Sequence, residues 1–241
     1  MGRRANPAFA WAVVLLPVVA LAYVLWDGTV QQHTLVHVMA GVLWTGIDVF
    51  MGLIVGPVVG GLEEEHAAAF FERFTPKSAF FLPVIAIVAI VGGITLAIRM
   101  GLLPSPDAWL ALFTLVNLPG PLLLLGWQFD AWRDPRWAVP FGLATAGSLY
   151  WVGTTIGSLA MPGPSILAAL AIVTVLNLEG FGLLLPGEVR IYLEMTSEHP
   201  DSGVISAIGQ RNAMLAGVQG ALQIAIVGVM VYLRYGGFPM F

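Results

Sequence analysis

The sequence predicts an all-α integral membrane protein, a bundle of seven transmembrane helices with its N-terminus in the cytoplasm and its C-terminus outside. Hydrophobic residues make up 58% of the 241 residues and charged residues only 10%. A helix needs about 18 to 20 apolar residues to cross a bilayer, and the chain has seven such runs. The distribution of arginine and lysine between the connecting segments indicates the orientation.

Short polar connections join the seven predicted spans, so we expect residues 1–241 to form a single transmembrane domain. The spans cover residues 7–26, 33–62, 78–98, 108–129, 138–161, 165–186 and 212–233. The longest connection, 187–211, is predicted to continue the sixth span as a helix and then to turn within 196–203. Its charged residues are typical of a solvated connector.

The basic residues favour one orientation, because positively charged segments are retained in the cytoplasm. With the N-terminus inside, the outer segments hold only Arg99 and Arg234. The inner segments hold the other eight, which are Arg3, Arg4, Arg73, Lys77, Arg133, Arg136, Arg190 and Arg211. The alternation holds over every connection, which supports an odd number of spans.

Several classes of function are excluded by composition. The chain has no cysteine, so it forms no disulfide or thiolate-bound iron–sulfur cluster and uses no cysteine nucleophile. A net charge of −4 argues against nucleic acid as a partner. Lys77 is the only lysine, and it lies outside the last span, so the chain cannot form the retinal Schiff base of a rhodopsin.

The second span carries two histidines and a carboxylate in an apolar background. Ionisable side chains cost roughly 2.5 kcal/mol or more each at the centre of a membrane, so they usually have a function there. At 100° per residue, His33, His37, Trp44 and Asp48 fall on nearly one face of the helix. Asp48 lies about 16 Å along the axis from His37, so the histidines and the carboxylate cannot share one metal ion.

A second polar set is predicted on the sixth and seventh spans. Asn212, Gln219 and Gln223 recur on one face of the seventh, while Glu179 lies in the inner half of the sixth. We expect Asp48, Glu179 and Arg211 to converge, with the cation offsetting one or both carboxylates. This set either forms a proton or substrate path, with these three as catalytic residues, or is a structural network that fixes helix packing.

The two histidines point to a prosthetic group or a metal. His37 can be an axial ligand of haem b, with Trp44 supplying apolar contact, and His33 with His37 can alternatively clamp copper or another transition metal. No other span contains a histidine. A haem would therefore be five-coordinate, held by both histidines, or held by His37 and a methionine. The candidate methionines are Met39, Met51, Met161 and Met214.

The fourth and sixth spans share one short sequence pattern. Asn117-Leu-Pro-Gly120 and Asn177-Leu-Glu-Gly180 both place an amide and a glycine near the middle of a predicted span. In a transporter such a pair marks discontinuous helices near a binding site. The alternative is chance similarity between two leucine-rich segments.

Residues 33–100 resemble the shared core of several bacterial membrane families. The pattern consists of His37, Trp44, Gly46, the pair Arg73-Phe74, Ser78 at the start of the third span, and the pair Gly92-Gly93. The families are the copper-resistance D proteins, an uncharacterised integral membrane family, the membrane-bound urate oxidases and the membrane protoporphyrinogen oxidases. The resemblance implies a multi-pass protein of a prokaryotic plasma membrane, with His37 as the haem b ligand.

Two family features are missing from this chain. The Pro-Arg-Leu run of the protoporphyrinogen oxidases does not follow Gly46, and the sequence contains no cytochrome c tail like that of the urate oxidases. The resemblance therefore does not carry either specific activity to this protein.

Three functions follow from these observations. The first is a haem-b-binding membrane redox protein, or a haem-bearing subunit of an electron-transfer complex, in which Asp48, Glu179 and Arg211 handle protons. Its expected partners are the lipid bilayer, a quinone, and other membrane subunits or further copies of the chain. The alternatives are a transporter or channel for a metal ion or small solute, and a non-catalytic structural subunit.

Overall fold

A computed structural model describes residues 1–236, and all regular structure in that range is helical. A one-turn helix, Gly2–Ala5, precedes seven longer helices. They are α1 (Pro7–Trp26), α2 (Val30–Gly60), α3 (Glu64–Arg99), α4 (Pro106–Gln128), α5 (Pro135–Thr155), α6 (Pro164–Glu194) and α7 (Ser202–Tyr235). All of these except α5 are long and apolar enough to cross a membrane, which confirms a multi-pass helical membrane protein with six candidate spans.

The helices differ from the predicted spans in three places. Helix α5 overlaps the predicted span 138–161 but ends at Thr155. It is not one of the six candidates, because glycine, serine and threonine make it less apolar. Helix α3 begins at Glu64, so Arg73 and Lys77 lie on a helix and not in a loop. The connection 187–211 is helical to Glu194 and again from Ser202, with the predicted turn between them.

Polar side chains mark the first residues of several helices. The Thr29 hydroxyl accepts a hydrogen bond from the Gln32 amide at 3.2 Å, and the Gln32 side chain accepts one from the Thr29 amide at 2.8 Å. This reciprocal pair is a capping box at the start of α2. Asp134 caps α5, and Asp201 accepts bonds from the first amides of α7. Each cap satisfies amides that have no partner inside the helix.

Three of the candidate spans are interrupted just before a proline. In α2 a π-helical turn, Met51–Val55, precedes Pro57, and in α6 another, Gly180–Leu184, precedes Pro186. Helix α4 consists of two segments that meet at Leu118. Proline has no amide hydrogen and so frees the carbonyl four residues earlier, which explains interruptions at these positions.

In α4 and α6, a side-chain amide donates to a carbonyl that a proline leaves free. Pro121 frees the Asn117 carbonyl, and Asn177 Nδ2 donates to it at 2.8 Å. Pro186 frees the Gly182 carbonyl, and Gln128 Nε2 donates to it at 2.7 Å. Hydrocarbon offers no water to such a carbonyl, so a donor from a neighbouring helix must supply the bond. The two similar segments around Asn117 and Asn177 are therefore in contact, on α4 and α6.

The chain divides into two compact units. The first comprises Met1–Leu96 with Leu184–Ala221, and the second comprises Ala97–Leu183 with the described chain from Leu222 onward. In the second unit, α4 packs against both α5 and the first half of α6. There the indole of Trp137 occupies the space beside Gly126 and donates to the Leu122 carbonyl at 2.6 Å.

Small residues allow the helices of the first unit to approach closely. A Cβ at Gly52 on α2 would collide with the backbone of Gly217 on α7, and one at Gly209 would collide with the ring of Phe71. The surrounding core contains eight buried apolar residues: Val59, Ala67, Ala68, Phe71, Ile191, Met195, Ile205 and Ile208. Close approach of this kind is the usual source of helix association in a bilayer, where burial of apolar surface gives little driving force.

The contact between Gly52 and Gly217 predicts a sharp effect of one methyl group. We expect Gly52→Ala to lower the free energy of unfolding by about 1 to 3 kcal/mol, because the two backbones must move apart. Gly46→Ala is the matched control on the same helix, since a Cβ there meets nothing within 4 Å. Thermal unfolding in detergent measures both variants, and equal melting temperatures would contradict the prediction.

Removal of the Asn177 amide tests the bond to the interrupted helix. We expect Asn177→Leu to cost about 1 to 3 kcal/mol of stability, because the Asn117 carbonyl loses its donor in a buried position. Gln31→Leu is the control, because it makes the same kind of change at an exposed position on α2. Urea or heat unfolding in micelles compares them. A variant as stable as the control would show that the bond contributes nothing.

Candidate functional site

His37 binds the third helix through one nitrogen of its ring. His37 Nδ1 lies 2.9 Å from the carbonyl oxygen of Ala89 on α3. A carbonyl can only accept, so Nδ1 carries the proton and Nε2 keeps its lone pair. Within the described chain, Nε2 of this ring makes no hydrogen bond. The arrangement leaves His37 with one nitrogen fixed and one available as a ligand.

The Gly92-Gly93 pair of α3 provides the space for this ring. A Cβ at Gly93 would lie 2.7 Å from Cε1 of His37, and one at Gly92 would lie 3.5 Å from its Cβ. Any side chain at Gly93 would push the imidazole off the helix and break the bond to Ala89. These two glycines and His37, which belong to one sequence pattern, therefore form one packing unit.

His33 also contacts α3, but through Nε2 of its ring instead of Nδ1. Its Nε2 lies 3.2 Å from Thr95 Oγ1, and Thr95 itself donates to the Val91 carbonyl at 2.6 Å. The threonine hydrogen is used in that shorter bond, so the hydroxyl accepts from Nε2–H of His33. His33 Nε2 is thus protonated and occupied, whereas His37 Nε2 is not. Each of the two rings therefore contacts α3 through one of its nitrogens.

The predicted stripe on α2 faces the protein interior. His33, Trp44 and Asp48 are buried, and His37 is partly buried. The indole Nε1 of Trp44 donates to Oε1 of Gln219 on α7 at 3.2 Å. Trp44 therefore joins α2 to the polar face of α7, and Gln219 satisfies its one polar atom. Asn212 and Gln223 on that face are buried as well, as the spacing predicts.

The three residues predicted to converge are divided between the two units. Asp48 on α2 and Arg211 on α7 belong to the first unit, and Glu179 belongs to the second. Asp48 is almost completely buried, Arg211 is partly buried, and Glu179 is buried just before the π-helical turn of α6. Their convergence remains a prediction.

Glu188 is a site residue that the sequence analysis missed. Ser78 Oγ donates to its Oε2 at 3.3 Å, and the side chains of Thr75 and Asn212 lie beside the same carboxyl group. Glu188 falls in a segment whose charges resemble those of a solvated connector, so charge pattern alone points to the wrong environment. The signal that could have revealed it is the pair Pro186-Gly187, which belongs to an interrupted span and not to a loop.

The second unit contains a cavity of about 450 Å³ between α4 and α6. Most of its lining is apolar, including Trp109, Phe113 and Leu170, with Asn117 and Thr174 as its polar residues. Asn117 Nδ2 donates to Thr174 Oγ1 at 3.1 Å, which ties these two residues to each other. Neither His33 nor His37 lines this cavity.

Residues 1–236 contain no group of three or more histidine, cysteine, aspartate or glutamate side chains that would hold a metal ion.

Comparisons with known proteins identify no relative. No protein-family model, no curated protein and no solved structure matches the chain. The resemblance of residues 33–100 to several bacterial membrane families therefore remains an expectation from the sequence pattern.

Proposed function

We propose that this chain is a haem-b-binding membrane redox protein, or the haem-bearing subunit of a membrane electron-transfer complex. The observation that carries the proposal is the bond from His37 Nδ1 to the Ala89 carbonyl. Histidines that ligate metals commonly donate their other ring N–H to a carbonyl, which fixes the tautomer and strengthens the ligand. A bound haem b would supply reversible one-electron transfer.

Residues of α3 orient the His37 imidazole, and the positions of the methionines limit the choice of a second haem ligand. Ala89 fixes the tautomer of His37, and Gly93 keeps the ring close to α3. Of the methionines considered as a second ligand, Met39, Met161 and Met214 are 49%, 66% and 64% exposed. Met51 is buried, but it lies about 21 Å from His37 along α2. These positions favour a five-coordinate group held by His37.

We also propose seven crossings of a prokaryotic plasma membrane, with α5 as the fifth, the N-terminus cytoplasmic and the C-terminus outside. Helix α5 has 21 residues and is about 31 Å long, enough for the hydrocarbon core. In this orientation His37 lies in the outer half of the membrane and Asp48 in the inner half. Asp48, Glu179 and Arg211 would then handle protons on the inner side, with a quinone and other subunits or copies of the chain as partners.

One observation favours a second candidate function, a transporter or channel for a metal ion or small solute. The candidate spans α2, α4 and α6 are each interrupted within their length. Interrupted helices expose backbone dipoles and are common at the binding sites of transporters. In this reading His37 would bind cargo instead of a permanent group.

Replacement of His37 tests the haem proposal directly. We expect the purified chain, expressed with sufficient haem, to show a Soret band that disappears in His37→Ala, because Nε2 is the proposed ligand. His66→Ala is the control, since that side chain is 71% exposed. Absorption spectra and haem content per chain measure the effect. A wild-type chain without pigment, or pigment retained by His37→Ala, would contradict the proposal.

Asp48 tests the separation of the ligand from proton transfer. We expect Asp48→Leu to keep full haem content, because Asp48 lies about 16 Å from His37 along the helix. We expect the rate of haem reduction by a quinol to fall roughly a hundredfold, the usual contribution of a general acid or base. Stopped-flow spectroscopy measures this rate, and loss of haem from the variant would show that the two sites are not separate.

A further inference from the structure

Three helices of the first unit bring oxygen-bearing side chains to one carboxyl group. Glu188 lies on α6, Thr75 and Ser78 lie on α3, and Asn212 lies on α7. Ser78 Oγ donates to Glu188 Oε2 at 3.3 Å, and the Thr75 and Asn212 side chains also lie against the carboxyl. Thr75 and Ser78 are one turn apart on α3, but Ser78 and Glu188 are separated by 110 residues, so the site exists only in the folded chain.

One oxygen of this cluster is buried without a hydrogen bond. Thr75 is fully buried with its hydroxyl against the Glu188 carboxyl, whereas Asn212 is 5% exposed and its Oδ1 has no hydrogen-bond partner. An unsatisfied buried polar atom costs about 1 to 3 kcal/mol, so natural proteins contain few of them. Its position beside a carboxyl group suggests that Asn212 Oδ1 is a ligand of a species that binds there.

The Asn212 amide is held in one orientation. Its Nδ2 donates to the Leu184 carbonyl at 3.2 Å, at the end of the π-helical turn of α6. A Cβ at Gly187 would lie 2.5 Å from Asn212 Oδ1, so the glycine gives this oxygen its space. With Nδ2 committed to the backbone, Oδ1 remains as an acceptor.

The composition of the cluster fits a monovalent cation. It offers one carboxylate and three neutral oxygen atoms, the hard ligands that alkali and alkaline-earth cations prefer. One negative charge balances a single positive charge, whereas divalent sites in proteins generally use more carboxylates. A carboxylate is costly in a membrane, so a bound cation would stabilise both the charge and the junction of three helices.

We propose that Glu188, Thr75, Ser78 and Asn212 form a binding site for a monovalent alkali cation. The site is independent of His37 and of any haem. Cation binding would draw α3, α6 and α7 together, because each helix supplies at least one ligand.

Binding of radioactive sodium and rubidium to the purified full-length chain tests the site, with choline chloride maintaining the ionic strength. We expect saturable, equimolar binding of at least one of these ions. Glu188→Gln should abolish this binding. Thr75→Val should weaken it at least tenfold, since it removes one oxygen while preserving the shape of the side chain.

Thr34→Val is the matched control, because its hydroxyl donates to the Val30 carbonyl of its own helix at 2.8 Å. It should bind the ion as the wild type does. Thermal unfolding provides a second readout, in which the bound ion should raise the melting temperature of the wild type and not that of Glu188→Gln. Absence of saturable binding in the wild type, or unchanged affinity in Glu188→Gln, would overturn the proposal. Haem content in the same samples shows separately whether the redox function holds.

Discussion

The bonds between side-chain amides and proline-freed carbonyls determine how the interrupted helices are built. In hydrocarbon, each carbonyl that loses its helical partner must find a donor within the protein. Asn177 serves the Asn117 carbonyl and Gln128 serves the Gly182 carbonyl. Because both donors lie on a different helix from the carbonyl, each break in a helix also joins two helices.

The same principle shapes the environment of Glu188. The π-helical turn of α6 ends at Leu184, whose carbonyl is satisfied by Asn212 on α7. That bond uses Nδ2 of Asn212 as a donor. The amide oxygen of Asn212 then lies close to Gly187, and the side chain lies beside the Glu188 carboxyl group. A local irregularity in one helix thus positions a side chain that belongs to another helix.

Sequence periodicity predicted those features that depend on a single helix. The stripe of His33, Trp44 and Asp48 on α2 is buried, as a period of 3.6 residues indicates. The extent of α3 was underestimated, because charged residues such as Arg73 remain solvated on a helix as easily as in a loop. Apolar length and composition identify six candidate spans, and α5 is not among them.

Sequence periodicity did not predict which helices contact each other. The contact of Asn117 with Asn177 was visible only as a short sequence similarity, which was better explained by chance. The anchoring of His37 at Gly93 depends on the packing of α2 on α3, and the environment of Glu188 depends on three helices together. Periodicity specifies which face of a helix is buried, but the partner of that face is determined by tertiary packing.

The amide bonds also impose an order on biosynthesis. During translation Gln128 enters the bilayer before Gly182, so its donor is already present when that carbonyl arrives. Asn117, by contrast, precedes its donor by 60 residues. The Asn117 carbonyl therefore has no donor from α6 until Asn177 has been synthesised and α6 packs against α4.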